Sequence, residues 1–91
     1  MKNSEIYKQV DDCLLEDMDG EMLLYNPSTS TTLQLNAPSA VVWQLCDGER
    51  SVQDIIDVVL EAYPEQSEQI PGDITTVLSD LSSREVLELV E

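Results

Sequence analysis

Apolar and polar positions keep two different periods along this chain. In residues 31–35, Leu33 and Leu35 alternate with Thr32 and Gln34, the period of a half-buried strand. Val41, Val42, Leu45 and Cys46 then fall at helical spacing with Trp43 beside them, and Asn36 and Pro38 suit the cap and first turn of that helix. Asp47-Gly48 is expected to end it, Gly48 taking a left-handed position. Ser51-Val52-Gln53-Asp54 restarts the chain as a capping box with Asp in the usual place of Glu. Upstream, Asp12, Leu14, Glu16 and Met18 share one side of a strand predicted over residues 10–18. Asp19-Gly20 is a hairpin signal, because a type I′ turn needs positive φ at both central positions. Residues 21–25 form the returning strand, and Asn26-Pro27-Ser28-Thr29-Ser30 is turn material.

Downstream, Val52, Ile55, Ile56, Val59, Leu60 and Tyr63 make one continuous helical face, closed by Pro64. A helix this short needs packing partners, because burial of its stripe must offset backbone ordering. Ile70, Ile74, Val77, Leu78 and Leu81 form a third helical stripe ending near Arg84, with either Pro71 in its first turn or Asp73 as its N-cap. Residues 86–90 alternate weakly around Glu88 and suit a short terminal strand. The polar residues 1–9 are expected to be a flexible N-terminus. The pattern predicts a winged-helix-like α+β domain: three short antiparallel strands, then three helices and a short terminal strand.

Ninety-one residues that are 42% hydrophobic suffice for one modest core. Four Lys and Arg against nineteen Asp and Glu give a formal charge of −15, which repels phosphate backbones and anionic membranes. Cys13 and Cys46 stand far apart, with no histidine in the chain, so neither a disulfide framework nor a metal site is expected and both thiols read as small hydrophobes. No cofactor motif, phosphate loop or nucleophile–base pair is present, so no enzyme is expected. No stretch has the form of a signal peptide or a membrane span, which makes the cytoplasm the default location.

The string DGEMLLYNPSTSTTLQLNAPSAVVWQLCDGERSVQDI, followed by AYPE and by I-x-x-D-I-x-x-x-L-x-x-L, resembles the PqqD family of small peptide chaperones, also called RiPP recognition elements. The resemblance runs from about Val10 to Val90. Its most specific parts are Leu35-Asn36, Trp43, Leu45, Asp47-Gly48, Ile55 and the Asp73, Leu78, Leu81 spacing. Where the family usually has glycine after the third helix, this chain has Arg84-Glu85-Val86. Membership would make residues 10–91 a PqqD-like peptide-binding domain. It implies a non-catalytic role: binding the leader of a ribosomally made precursor peptide and presenting it to a modifying enzyme, a radical SAM protein in the pyrroloquinoline quinone pathway. The leader would add as a strand to the edge formed by Thr31, Thr32, Leu33, Gln34 and Leu35. It would lie against a groove drawn from Leu33, Ile74, Val77, Leu78 and Leu81, with Asp73 and Asp80 attracting basic leader residues.

Plainer readings stand beside this one. Leu78 and Leu81 suit core better than groove, and Trp43 suits a packing residue with its indole N–H at the surface. The alternatives from other classes are a winged-helix DNA-binding protein and a generic acidic protein-interaction subunit. The would-be recognition helix, residues 73–84, carries one basic residue and two acids, which disfavours DNA. An exposed strand edge would also allow a homodimer.

Overall fold

A computed structural model describes residues 3–90. Among them, six strands and three helices follow in the order β1 (Ile6–Gln9), β2 (Leu14–Met18), β3 (Glu21–Asn26), β4 (Thr31–Leu35), α1 (Ala37–Leu45), β5 (Asp47–Ser51), α2 (Val52–Ala62), α3 (Ile70–Ser83) and β6 (Leu87–Val90), with a 3-10 turn at Pro64–Gln66 between α2 and α3. The strands form two antiparallel sheets, β2-β3-β4 and β5-β1-β6. The class is α+β. The winged-helix likeness is loose, because two unforeseen strands, β1 and β5, complete the second sheet.

The β2-β3-β4 sheet follows local sequence signals. Met18 pairs with Glu21 across a two-residue turn, and Asp19 and Gly20 take φ values of 55° and 87°, as a type I′ turn requires. The strand predicted over 10–18 begins only at Leu14, because Asp12 turns the chain with φ of 69°. Leu24 and Leu33, paired across β3 and β4, bury their side chains against the helices.

The second sheet corrects two expectations. Residues 6–9, expected to be flexible, form its central strand, with Ile6 paired to both Ser51 and Val90 and Tyr7 buried in the core. Met1 and Lys2, from the same expectation, lie outside the described residues. Gly48 does have positive φ, 84°, but it lies within β5 where the β1–β5 register shifts, not directly after α1. Cys46 closes α1, its N–H donating to the Trp43 carbonyl, while one Asp47 carboxylate oxygen accepts from the amides of Glu49 and Arg50.

Helix ends follow their capping chemistry. Asn36 accepts from the Ser39 amide at 2.9 Å, and Ser51 and Asp54 exchange the two bonds of a capping box. α3 starts at Ile70 with Pro71 in its first turn, so Asp73 is a first-turn acid and not the cap. At its other end Glu85 takes the left-handed position, φ 65°, in place of the family's glycine. Glu85 N–H donates to Ser82 and Val86 N–H to Leu81, the paired bonds of a Schellman motif.

That corner joins the sheets. The buried Asn26 at the end of β3 donates to the Glu85 carbonyl at 2.8 Å. Trp43 is buried and its indole N–H donates to the Val86 carbonyl at 3.1 Å, so the indole N–H is an internal tie and not a surface group. The core runs between the sheets and helices through Leu24, Val52, Ile55, Leu78, Leu81 and Val86.

Candidate peptide-binding site

β4 is an edge strand: it pairs with β3 on one side, and no described strand pairs with it on the other. Its outward-facing amides and carbonyls run beside the C-terminal half of α3. Thr32, Leu33, Gln34 and Leu35 line a groove of about 220 Å³ with Asp80 and Arg84. β2, β5 and β6 are also sheet edges, but β4 is the one bordered by this helix-lined groove.

A second depression lies farther along α3. Pro38, Val41 and Val42 of α1, Val59 and Tyr63 at the end of α2, and Ile70, Ile74 and Val77 of α3 enclose about 210 Å³, with Asp73 and Gln66 completing the lining. It is a predominantly apolar cavity. The α2 stripe explains its opening: Val52, Ile55 and Ile56 are buried, whereas Tyr63 is 52% exposed. Asp73, Val77, Asp80 and Arg84 follow helical spacing along α3, so one face of this helix passes from the apolar cavity to the β4 groove.

The structure therefore separates the sequence-derived residues. Thr31 and Leu35 are half-buried, and Thr32 and Gln34 are exposed on the edge strand. Asp73, Ile74 and Val77 belong to the apolar cavity, and Asp80 to the β4 groove. Leu78 and Leu81 are 0% and 1% exposed and line neither depression; they hold α3 to the core. Leu33 is also part of that core, although it borders the groove. Asp80 is paired with Arg84, whose Nε lies 3.1 Å from one carboxylate oxygen, so its charge is already compensated.

Pro38, Val41, Val59, Tyr63 and Arg84 line these depressions without having been singled out for binding. Val41 and Tyr63 fall on the helical apolar stripes of the sequence, and only the structure shows each to be at least 40% exposed. Arg84 left none, because its place depends on where α3 meets β4.

Among the described residues, no group of His, Cys, Asp and Glu is arranged to hold a metal ion, and no helix is long and apolar enough to cross a membrane. The perturbed titrations lie elsewhere. Burial pushes the Cys46 thiol up to about 12, and it donates to the Val42 carbonyl; burial also raises Cys13 and Tyr7. The amides of Arg50 and Glu49, with the Arg50 charge adding, hold the Asp47 carboxyl below its usual range. The three described cations, Lys8, Arg50 and Arg84, each lie in an ion pair, which leaves no basic stripe for a phosphate backbone among the described residues.

The family model described as coenzyme PQQ synthesis protein D (PqqD) matches residues 21–87. The chain belongs to the PqqD family. No curated protein sequence matches it. Among solved structures, it is similar to TbiB1 in complex with the TbiA(beta) leader peptide. The two are 25% identical, with a TM-score of 0.74, over 89% of this chain and 94% of that one. It also shares the fold of the PqqD truncation of Methylobacterium extorquens PqqCD, described as a functional, stand-alone RiPP recognition element. That likeness has 24% identity and a TM-score of 0.78, covering 96% of this chain and 93% of the other.

Proposed function

We propose that this member of the PqqD family is a non-catalytic chaperone. It binds the leader of a ribosomally made precursor peptide by strand addition to β4 and presents the peptide to a modifying enzyme, a radical SAM protein. The observation that carries this reading is the β4 edge, open among the described residues and running beside α3. The TbiB1 complex with a leader peptide, on the same fold, supports it.

About four added backbone hydrogen bonds contribute roughly 2–6 kcal/mol net, at ~0.5–1.5 kcal/mol each. Ordering a disordered leader costs a comparable amount, so main-chain pairing sets direction and register more than affinity. The apolar cavity supplies the missing part. One leucine- or phenylalanine-sized side chain buried there contributes about 1.5–3 kcal/mol. Thr31, Thr32, Gln34 and Leu35 present the edge, Ile74 and Val77 with Val41 receive the anchor, and Asp73 attracts a basic neighbour. Leu33, Leu78 and Leu81 act from beneath, by fixing β4 and α3.

The test is an NMR titration of the 15N-labelled protein with the leader of the short precursor peptide encoded beside its gene. The expected shift changes concentrate on residues 31–35, on α3 and around Val41. Saturable binding with changes confined to another face would overturn the placement, and no binding would overturn the function.

A further inference from the structure

Apart from Thr32 and Gln34 on the β4 edge, the outward face of the β2-β3-β4 sheet is not used by the leader binding proposed above, yet it is not an ordinary solvated face. Strand alternation and the register bring Leu14, Tyr25 and Thr32 into one row, and Glu16, Leu23 and Gln34 into the next, on the side away from the core. Solvated sheet faces normally carry polar residues at these positions. Here Leu14 is 57% exposed, Met18 53% and Tyr25 39%, and Leu14, Glu16, Leu23, Tyr25 and Thr32 line a shallow depression of about 260 Å³.

Charge restricts the occupant. Between Lys8 and Arg50 the sequence holds no basic residue, while Glu16 and Glu21 lie on this face and Asp11, Asp12 and Asp19 flank the ends of β2. A second copy seated here would set acids against acids, and nucleic acid or an anionic membrane would be repelled. An apolar protein surface rimmed with Lys and Arg complements it.

We infer that this face is a second docking surface, for the basic-rimmed apolar surface of the peptide-modifying enzyme; this rests on the function proposed above. The geometry gives the arrangement a purpose. A leader strand added to β4 would extend the same sheet, so its outward side chains would lie beside Thr32 and Gln34. An enzyme seated on Leu14 and Tyr25 would then meet the bound peptide across one continuous surface.

The test uses the Leu14→Thr/Tyr25→Thr double variant, which keeps strand-forming residues, with circular dichroism to verify the fold. Two affinities are measured: for the leader encoded beside the gene, by fluorescence anisotropy, and for the purified peptide-modifying enzyme encoded there, by calorimetry. The expected result is a leader affinity within twofold of the parent and an enzyme affinity at least tenfold weaker. For the parent chain, raising salt from about 50 to 300 mM should weaken enzyme binding. An unchanged enzyme affinity in the folded variant would overturn the proposal, as would a parent chain that does not bind the enzyme. A parent dimer, seen by sedimentation, that the double substitution dissociates would reassign the face to self-association and overturn it too. Failure of the parent to bind leader while it binds enzyme through this face would refute the leader reading and leave the docking surface standing.

Discussion

The two three-stranded sheets have opposite origins. β2, β3 and β4 are neighbours in sequence, joined by a two-residue turn and a short loop. β5, β1 and β6 come from the middle, beginning and end of the chain, with Ile6 paired to both Ser51 and Val90. The difference divides the labour. The distant strands close the domain around Tyr7, Val86 and Leu87, whereas the local sheet sets its edge strand β4 beside α3 and leaves Leu14, Met18 and Tyr25 exposed.

The largest effect should come from the closing sheet. Tyr7→Ala removes a core ring from its central strand and is expected to cost about 3–5 kcal/mol in chemical denaturation. Leu14→Ala on the outward face should stay within about 0.5 kcal/mol. Equal losses would erase the division between the sheets.

Alkaline pH should also act on the closing side, through Cys46 between α1 and β5. Its folded pKa, about 12, lies above the ordinary value of 9.0. Its contribution is therefore complete below pH 9, and is lost as pH rises from 9 towards 12 and the unfolded chain releases the proton first. The slope is on the order of 1.4 kcal/mol per unit. Denaturation curves of Cys46→Ala should be flatter than those of the parent over that window.

On the binding side, Val41→Asp places a charge at the rim of the apolar cavity. It should weaken leader affinity about tenfold, or ~1.4 kcal/mol, with the fold intact. Asp80→Asn should change affinity less than about threefold, because exposed ion pairs contribute little. Titration calorimetry that ranked them the other way would make charge, not apolar anchoring, the source of affinity.

The smallest effect concerns the corner that joins the sheets. Glu85→Gly relieves a left-handed non-glycine residue and should raise stability by about 0.5–1 kcal/mol, read as a higher denaturation midpoint.

Much of the local sheet and all three helices was legible because each depends on near neighbours. Asp19-Gly20 dictates its turn, Ser51 and Asp54 their capping box, and the 3.6-residue stripes mark α2 and α3. β1 was not legible. Ile6 and Tyr7 give almost no periodic signal, and their partners lie some forty and eighty residues away. The candidate site divides in the same way. The β4 edge followed from alternation and family likeness, but the pattern merged core and groove along α3. Leu78 and Leu81 share a helical stripe with Val77, and a stripe does not tell which of its residues a neighbouring element will cover.

The sequence by itself determined the acidity, the capped helices, the type I′ hairpin and the family. Only the tertiary structure decided that residues 6–9 are a central strand, that Trp43 ties inward to Val86, and that the apolar cavity opens between three helices. Turns, caps and periodicity are settled by residues within a few positions of one another. Which faces are sealed and which stay open is settled by packing between segments distant in sequence.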